Sequence, residues 1–370
     1  MSETWATKYR PHSFNDLVGQ PAVQFILHRM VDINQIPSAM LFAGCKGTGK
    51  TTTARILAAA LNCQEPNKPC GTCPACKSVF DGTSMDVIEI DAASTGTVDD
   101  IRSLRQNLQY RQTGDWRIVI LDEAQSISPA GFNALLKTIE EPPPHTLFVL
   151  CTTELRKILG TVASRCIPFH FKRLAPADIA SRLAYIAQAE NHLVDQDLLD
   201  LIADRADGAM RDAIMALDQV ARIGLTTAEQ YQRLIGHTDH AAGILDRLAA
   251  GDLPAAFTRL DEALRHASDA TSIITEAIHV LSDVIKLQCG AEVHKNGLAL
   301  ALRQNLALTL DQNTLVAAMK ILWQMQIQVR LDDARAALEL AIVMLGEVFQ
   351  TFAPPKPPAK ISLAEMSKLS

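Results

Sequence analysis

Eight consecutive residues, Gly44, Cys45, Lys46, Gly47, Thr48, Gly49, Lys50 and Thr51, read GCKGTGKT and match G-x-x-x-x-G-K-[ST] at every fixed position. An apolar run, AMLFAG (39–44), precedes them, and a helical stretch, TTTARILAAALN, follows. In that setting the glycines let backbone N–H groups turn inward around phosphates, and the helix N-terminus adds the positive end of its dipole. Lys50 is expected to reach the β- and γ-phosphates of a nucleoside triphosphate, and Thr51 to ligate Mg2+.

A second stretch, RIVILDEAQ (117–125), ends an apolar run with two adjacent carboxylates. Asp122 is expected to hold Mg2+ through water beside the phosphate loop. Glu123 points the other way along the strand and is expected to polarise an attacking water. Taken alone, the pair also suits a solvated strand end, because charges are costly to bury unpaired. Behind a phosphate loop it reads as a hydrolytic site. A water-activating acid at Glu123 also separates hydrolysis from phosphoryl transfer by a kinase.

Four of the eight cysteines fall between Cys63 and Cys76, spaced Cys63-x6-Cys70-x2-Cys73-x2-Cys76 with Pro and Gly between them. Tight turns of this kind bring four sulfurs onto one tetrahedral Zn2+. A redox pair needs two of the four, and iron–sulfur ligation, which uses related spacings, stays open. Four thiolates would close the coordination shell, so the expected role of the metal is structural. Cys45, Cys151, Cys166 and Cys289 are scattered and read as small buried apolar residues.

These residues need elements to position them. Short apolar runs at 39–44, 87–92, 116–124 and 146–153 alternate with amphipathic stretches such as VDDIRSLRQNLQY, which implies a parallel sheet covered by helices on both faces. Beyond about Leu174 the strand signals stop. Three helical periods follow, and from about His240 longer ones. The expected organisation is an α/β domain at 1–173, a small helical domain at 174–238, a larger helical one at 239–352 and a Pro- and Lys-rich tail at 353–370.

The 370-residue chain carries a net charge of −6, which argues against wholesale nucleic-acid binding but leaves room for a local basic face. It has no run of eighteen apolar residues. Its opening, MSETWATKYRPHSF, lacks the apolar core of a signal peptide. A cytoplasmic protein without disulfides is expected.

With phosphate loop, cysteine-rich insertion and acidic strand in this order, the chain resembles the bacterial DNA polymerase III subunit gamma/tau family, the AAA+ ATPase motor subunits of the sliding-clamp loader. KYRPHSFNDLVGQ (8–20), FNALLKTIEEPPPH (132–145), SRC (164–166), GAMRDAIMALDQ (208–219) and DARAALELAIVML (333–345) are similar to further segments of that family. The resemblance implies an α/β P-loop AAA+ domain, a helical lid and an all-α collar, with ATP, Mg2+ and Zn2+ as ligands. It implies that Tyr9, Arg10, Pro11 and Val18 lie against the adenine, and that Thr153 is a first sensor of the γ-phosphate. Arg211 would contact that phosphate from the lid, and Arg165 would act in trans on a neighbour's ATP. The implied partners are further copies of the chain, delta- and delta-prime-like subunits, a sliding clamp and primer–template DNA, with no membrane. A structural, non-hydrolysing subunit and a different AAA+ motor, such as a branch-migration helicase, are the rival readings.

Two positions depart from the family pattern. Gln125 stands where many relatives carry His, which leaves the catalytic acid in place. DAASTGTVDD (91–100) lacks basic residues that relatives often carry, leaving Arg102, Arg105 and Lys137 as the nearest candidates for DNA contact. Basic residues also gather in ELRKILGTVASRC and FHFKRL. The chain stops soon after the collar-like region and resembles the short, gamma-like form, for which polymerase and helicase couplings are not expected.

Overall fold

The computed structural model of the chain describes residues 3–95, 98–108, 112–234, 240–265, 270–291, 293, 298–328 and 334–352. It divides into two compact units, Met1–Ala228 and Glu229–Ser370. The helices Pro176–Ala189, Gln196–Arg205 and Met210–Arg222, read from sequence as a separate small domain, lie in the first unit. The expected boundary at 238/239 and the tail 353–370 lie outside the described residues.

The first unit is built on five strands: β1 (Ala39–Gly44), β2 (Val87–Asp91), β3 (Arg117–Asp122), β4 (Thr146–Thr152) and β5 (Ile167–Phe171). They run in the order β2-β3-β4-β1-β5, with every neighbouring pair parallel. Alternate residues of the strands point to opposite faces, and both faces are apolar. Met40, Phe42, Ile118, Ile120, Val149 and Cys151 pack on one side with Leu57. Leu41, Val119, Leu121, Phe148 and Leu150 pack on the other with Ile101, Phe132 and Leu135. This is why the inner strands read as continuous apolar runs rather than alternating ones. The resulting core is a five-stranded parallel sheet flanked by helices on both faces.

The helix Lys50–Asn62 shows how sequence sets packing. Ala54, Ala58, Ala59 and Ala60 are completely buried, small enough for the helix to press onto the sheet with the helices Pro21–Asp32 and Pro74–Phe80 against it. β5 was not expected from the sequence. IPFHF buries only Phe169 and Phe171, and Pro168 fits because β5 is an edge strand, where a missing N–H is tolerated.

The second unit is helical. His240–Ala249, Leu253–Arg265, Ala270–Gln288, Leu298–Thr309, Gln312–Gln328 and Ala334–Phe352 are its helices among the described residues after 239. They bury a common core that includes Leu245, Ile274, Leu281, Leu322 and Phe349. Arg303 is 1% exposed in that unit and donates Nε to Asp283 Oδ2 at 3.2 Å, so the buried charge is paired. Among the described residues, no helix of either unit is long and apolar enough to cross a membrane.

Candidate active site

The loop after β1 closes on itself through two glycines. Gly49 precedes the helix Lys50–Asn62 at φ 99°, a left-handed conformation that glycine takes without penalty. Gly47 has φ 74°, and a Cβ there would stand 2.8 Å from the Cβ of Ala209. The same loop accepts a hydrogen bond on Gly47 O from Met210 N–H at 3.1 Å. The start of the helix Met210–Arg222 is thereby joined to the phosphate loop, and Arg211 is its second residue.

Lys50 donates Nζ to Gly44 O and Cys45 O, each at 2.8 Å, and Thr48 donates its hydroxyl to Cys45 O at 2.8 Å. The Lys50 ammonium is held within the loop, and burial pushes its pKa down. Lys46 and Cys45 are exposed.

Thr51 Oγ1 donates to Asp122 Oδ2 at 2.8 Å. One hydrogen bond thus links the helix after β1 to the end of β3, across the intervening β4. Oδ1 of Asp122 accepts Glu123 N–H at 3.0 Å. Burial nevertheless raises the carboxyl pKa of Asp122. A hydroxyl and a carboxylate converging in this way form the hard oxygen donor set that Mg2+ takes together with phosphate oxygens and water, so these residues fit the ion.

β3 ends at Asp122, so Glu123 does not continue the strand as the sequence suggested. It turns into the left-handed region, φ 47° and ψ 43°, ahead of the short turn Ala124–Ser126. Its carboxylate meets Gln125 and Thr153. Thr153 lies one residue beyond β4, so the expected acid and the expected first sensor are neighbours. Gln125, which the sequence marked only as a departure, stands between them.

The opening segment is anchored on the helical part of the first unit. Tyr9 O–H and Lys8 Nζ both donate to Glu190 Oε1 at 2.6 Å, and Arg182 donates to Tyr9 O at 3.3 Å. Burial and the Glu190 carboxylate push the Tyr9 phenol up to about 12. Burial, followed by the charge of Arg55, lowers the pKa of Arg10, and Glu89, Arg211 and Asp122 also act on it. Arg10, Arg211 and Asp122 therefore share one electrostatic neighbourhood. Pro11 and Val18 are half-buried. Leu17, beside Val18, is buried with Cδ2 4.0 Å from where a Cβ on Gly49 would lie. Glu190 had no motif to reveal it, and Leu17 lies within KYRPHSFNDLVGQ (8–20) but was not singled out there.

Arg165 is 39% exposed and forms an ion pair with Glu140. Among the described residues its hydrogen bonds go to Glu140, Thr161 and Ser164, not to the phosphate loop. Arg102 is exposed and pairs with Asp99 at 3.0 Å. Lys137 is exposed, and the side chain of Arg105 lies outside the described residues.

Cys63, Cys70, Cys73 and Cys76 form one cluster whose sulfurs all lie within 4.8 Å of one another. Cys70 and Cys76 are 4.0 Å apart at sulfur, and Cys73 and Cys63 are 3.9 Å apart. Four sulfurs around a tetrahedral ion with Zn–S near 2.3 Å are separated by about 3.8 Å, so the donor set fits a metal. Cys73 N–H donates to Cys70 Sγ at 3.3 Å and Cys76 N–H to Cys73 Sγ at 3.4 Å, the kind of outer bonding that orients ligands. Hydrogen bonds from backbone N–H groups, that of Thr72 first, lower the Cys70 thiol to about 6, whereas burial raises Cys63 and Cys76. Of the four scattered cysteines, Cys151 and Cys166 are buried as expected, while Cys45 and Cys289 are exposed. Cys45 stands on the outward turn of the phosphate loop, and Cys289 just follows the helix Ala270–Gln288.

A family model described as "DNA polymerase III, delta subunit" matches residues 19–175. The chain is 39% identical over 300 residues to the DNA polymerase III subunit gamma/tau of Mycobacterium tuberculosis, covering 78% of this chain and 52% of that one. It is 37% identical over 289 residues to the DNA polymerase III subunit tau of Bacillus subtilis, covering 75% and 50%. With that of Escherichia coli it shares 34% over 301 residues, covering 80% and 47%. The chain spans about half the length of these curated relatives. Over the region that it shares with them, the chain is a homologue of the bacterial DNA polymerase III gamma/tau subunits and a member of their family.

Proposed function

We propose that the chain is an ATP-hydrolysing motor subunit of a sliding-clamp loader, acting in the cytoplasm during DNA replication. The observation that carries this reading is the convergence of Lys50, Thr51, Asp122, Glu123 and Thr153 at the C-terminal ends of the inner strands β1, β3 and β4, with Thr51 and Asp122 2.8 Å apart. Lys50 would hold the β- and γ-phosphates of ATP, and Thr51 and Asp122 would hold Mg2+. The ion, when bound, would neutralise charge on the phosphate oxygens. Glu123 would take a proton from the attacking water, and Thr153 and Arg211 would report the γ-phosphate. Tyr9, Arg10, Pro11 and Val18 would flank the adenine.

Arg165 would stabilise charge developing on the nucleotide of a neighbouring subunit, so a full site requires two chains. The helical segment 174–238 would act as a lid that closes on ATP, and 239–352 as a collar that assembles copies of the chain with delta- and delta-prime-like subunits. Closure around ATP would open the clamp; primer–template DNA would complete the ring of sites, and hydrolysis would release the loaded clamp. Zn2+ is the metal that best suits four thiolates without an open coordination position, and its role would be structural.

The match to the delta-subunit model favours a second reading, a delta-like subunit, and the rival to be tested is that such a subunit is structural and does not hydrolyse ATP. Lys50 and Glu123 speak against it. Loading of the cognate clamp onto primed DNA by assemblies carrying Lys50→Ala separates the two. The motor reading expects loading to be lost, and undiminished loading overturns it.

A further inference from the structure

The carboxamide of Gln125 is the centre of a closed hydrogen-bond network. Its Nε2 donates to Glu123 Oε2 at 2.5 Å and to Thr153 Oγ1 at 3.0 Å. Its Oε1 accepts Thr152 Oγ1–H at 2.8 Å and Thr153 N–H at 3.4 Å. Thr153 Oγ1 is in turn 3.4 Å from Glu123 Oε2. The direction of the amide is fixed by chemistry. A carboxylate only accepts and a backbone N–H only donates, so the NH2 must face Glu123 and the oxygen must face Thr153 N–H.

We propose that Gln125 is a positioning residue for hydrolysis: its carboxamide ties the Glu123 carboxylate to the end of β4, so that the water-activating acid takes its aim from the residue that senses the γ-phosphate. This rests on the reading of Glu123 and Thr153 given above. Glu123 needs such a tie. It has left the strand for a left-handed backbone conformation, which a non-glycine residue holds only when its surroundings over-determine it. Backbone bonds fix the turn itself, with Ser126 N–H donating to Glu123 O at 2.8 Å. They do not fix the direction of a flexible glutamate side chain; Gln125 and Thr153 do, on Oε2. In the hydrolytic reading, Oε1 would be the oxygen that takes the proton of the attacking water. Thr152, fully buried at the end of β4, orients the amide from behind. A movement of Thr153 on a γ-phosphate would thus be transmitted to Glu123 through one side chain.

The test is a double-mutant cycle on ATP turnover, measured with the full chain and with its native assembly. Gln125→Met keeps the length and loses the bonds. It is expected to lower kcat by about 10–100-fold, the scale of a misaimed catalytic group, with KM and nucleotide affinity unchanged. In a Glu123→Gln background the same change is expected to add little, because Gln125 acts through Glu123. Gln125→Asn, polar but one methylene short, is expected to show the same split and covers the case in which Gln125→Met melts early. Full additivity of Gln125→Met with Glu123→Gln, or an equal loss in nucleotide affinity, overturns the positioning role. Wild-type turnover by Glu123→Gln overturns the hydrolytic reading on which the proposal rests, whatever the Gln125 variants do.

Discussion

Arg165 and Glu140 face each other across a double contact: Nη2 and Nε of the guanidinium lie 2.5 Å and 2.6 Å from one carboxylate oxygen, Oε1. A third bond, Nη1 to Thr161 O at 2.6 Å, completes the clamp. Both side chains are well exposed, so the pair contributes little to stability. Its effect is on direction, since it pre-orders a long side chain that would otherwise sample many rotamers. If Arg165 serves a neighbouring subunit, Glu140→Gln should leave the melting temperature nearly unchanged. It should lower turnover by the assembled protein about tenfold, less than the roughly 10³–10⁵ that a missing arginine finger removes. Comparing melting curves and turnover for Glu140→Gln and Arg165→Ala checks both parts.

Gly47 is where the phosphate loop meets the start of the helix Met210–Arg222. A Cβ at this position would overlap Ala209 at 2.8 Å and would require the left-handed φ of 74°. Gly47→Ala should therefore push the start of the helix Met210–Arg222 away from the loop. Nucleotide affinity is expected to fall by about 5–150-fold, the range that strain of about 1–3 kcal/mol at one residue corresponds to. Titration with a fluorescent ATP analogue reads this directly, and circular dichroism should show the fold retained.

The thiol cluster predicts a response to metal removal. A closed four-thiolate site contributes folding free energy, and Cys63 and Cys76 are part of the same buried core as Leu57 and Ala59. A strong chelator should lower the melting temperature of the purified chain, and Zn2+ should restore it. Replacing Cys76 by Ser should abolish the restoration.

Tyr9 and Glu190 make a pH-dependent tie. The Tyr9 phenol is raised to about 12, above its ordinary value near 10, so the stabilisation it gives is complete below about 10 and is lost as pH rises through 12. Hydrogen bonds from Lys8 and then Tyr9 lower the Glu190 carboxyl, so its stabilisation is present above its ordinary value near 4.3 and is lost as pH falls through the lowered one. Tyr9→Phe should accordingly reduce the melting temperature between about pH 5 and 10, and the difference from wild type should shrink on the acid side. A set of melting curves across pH checks the window.

The inner strands, the phosphate loop, the acidic strand end and the cysteine cluster were legible because each has a local signature. An apolar run marks a strand buried on both faces, and GCKGTGKT and the Cys spacing restrict geometry within a few residues. β5 was not legible, because IPFHF carries only two buried residues and a proline. Gln125 and Glu140 were not legible as functional residues because their partners, Thr153 and Arg165, are 28 and 25 positions away. The pairing of β3 with β4 brings Gln125 to Thr153, and the packing of the helix Pro129–Glu140 on the helix Gly160–Ala163 brings Glu140 to Arg165. Glu123 was placed correctly beside Asp122 but with the wrong backbone, since nothing in DEAQ announces a left-handed turn.

Steady-state ATP turnover by the full chain in its native assembly, wild type beside Lys50→Ala, tests the central claim most directly. The account predicts turnover that rises with primed DNA and falls by at least about 10²–10³-fold when the buried Lys50 ammonium is removed. Turnover that is absent from the wild-type assembly, or unchanged in Lys50→Ala, would contradict it.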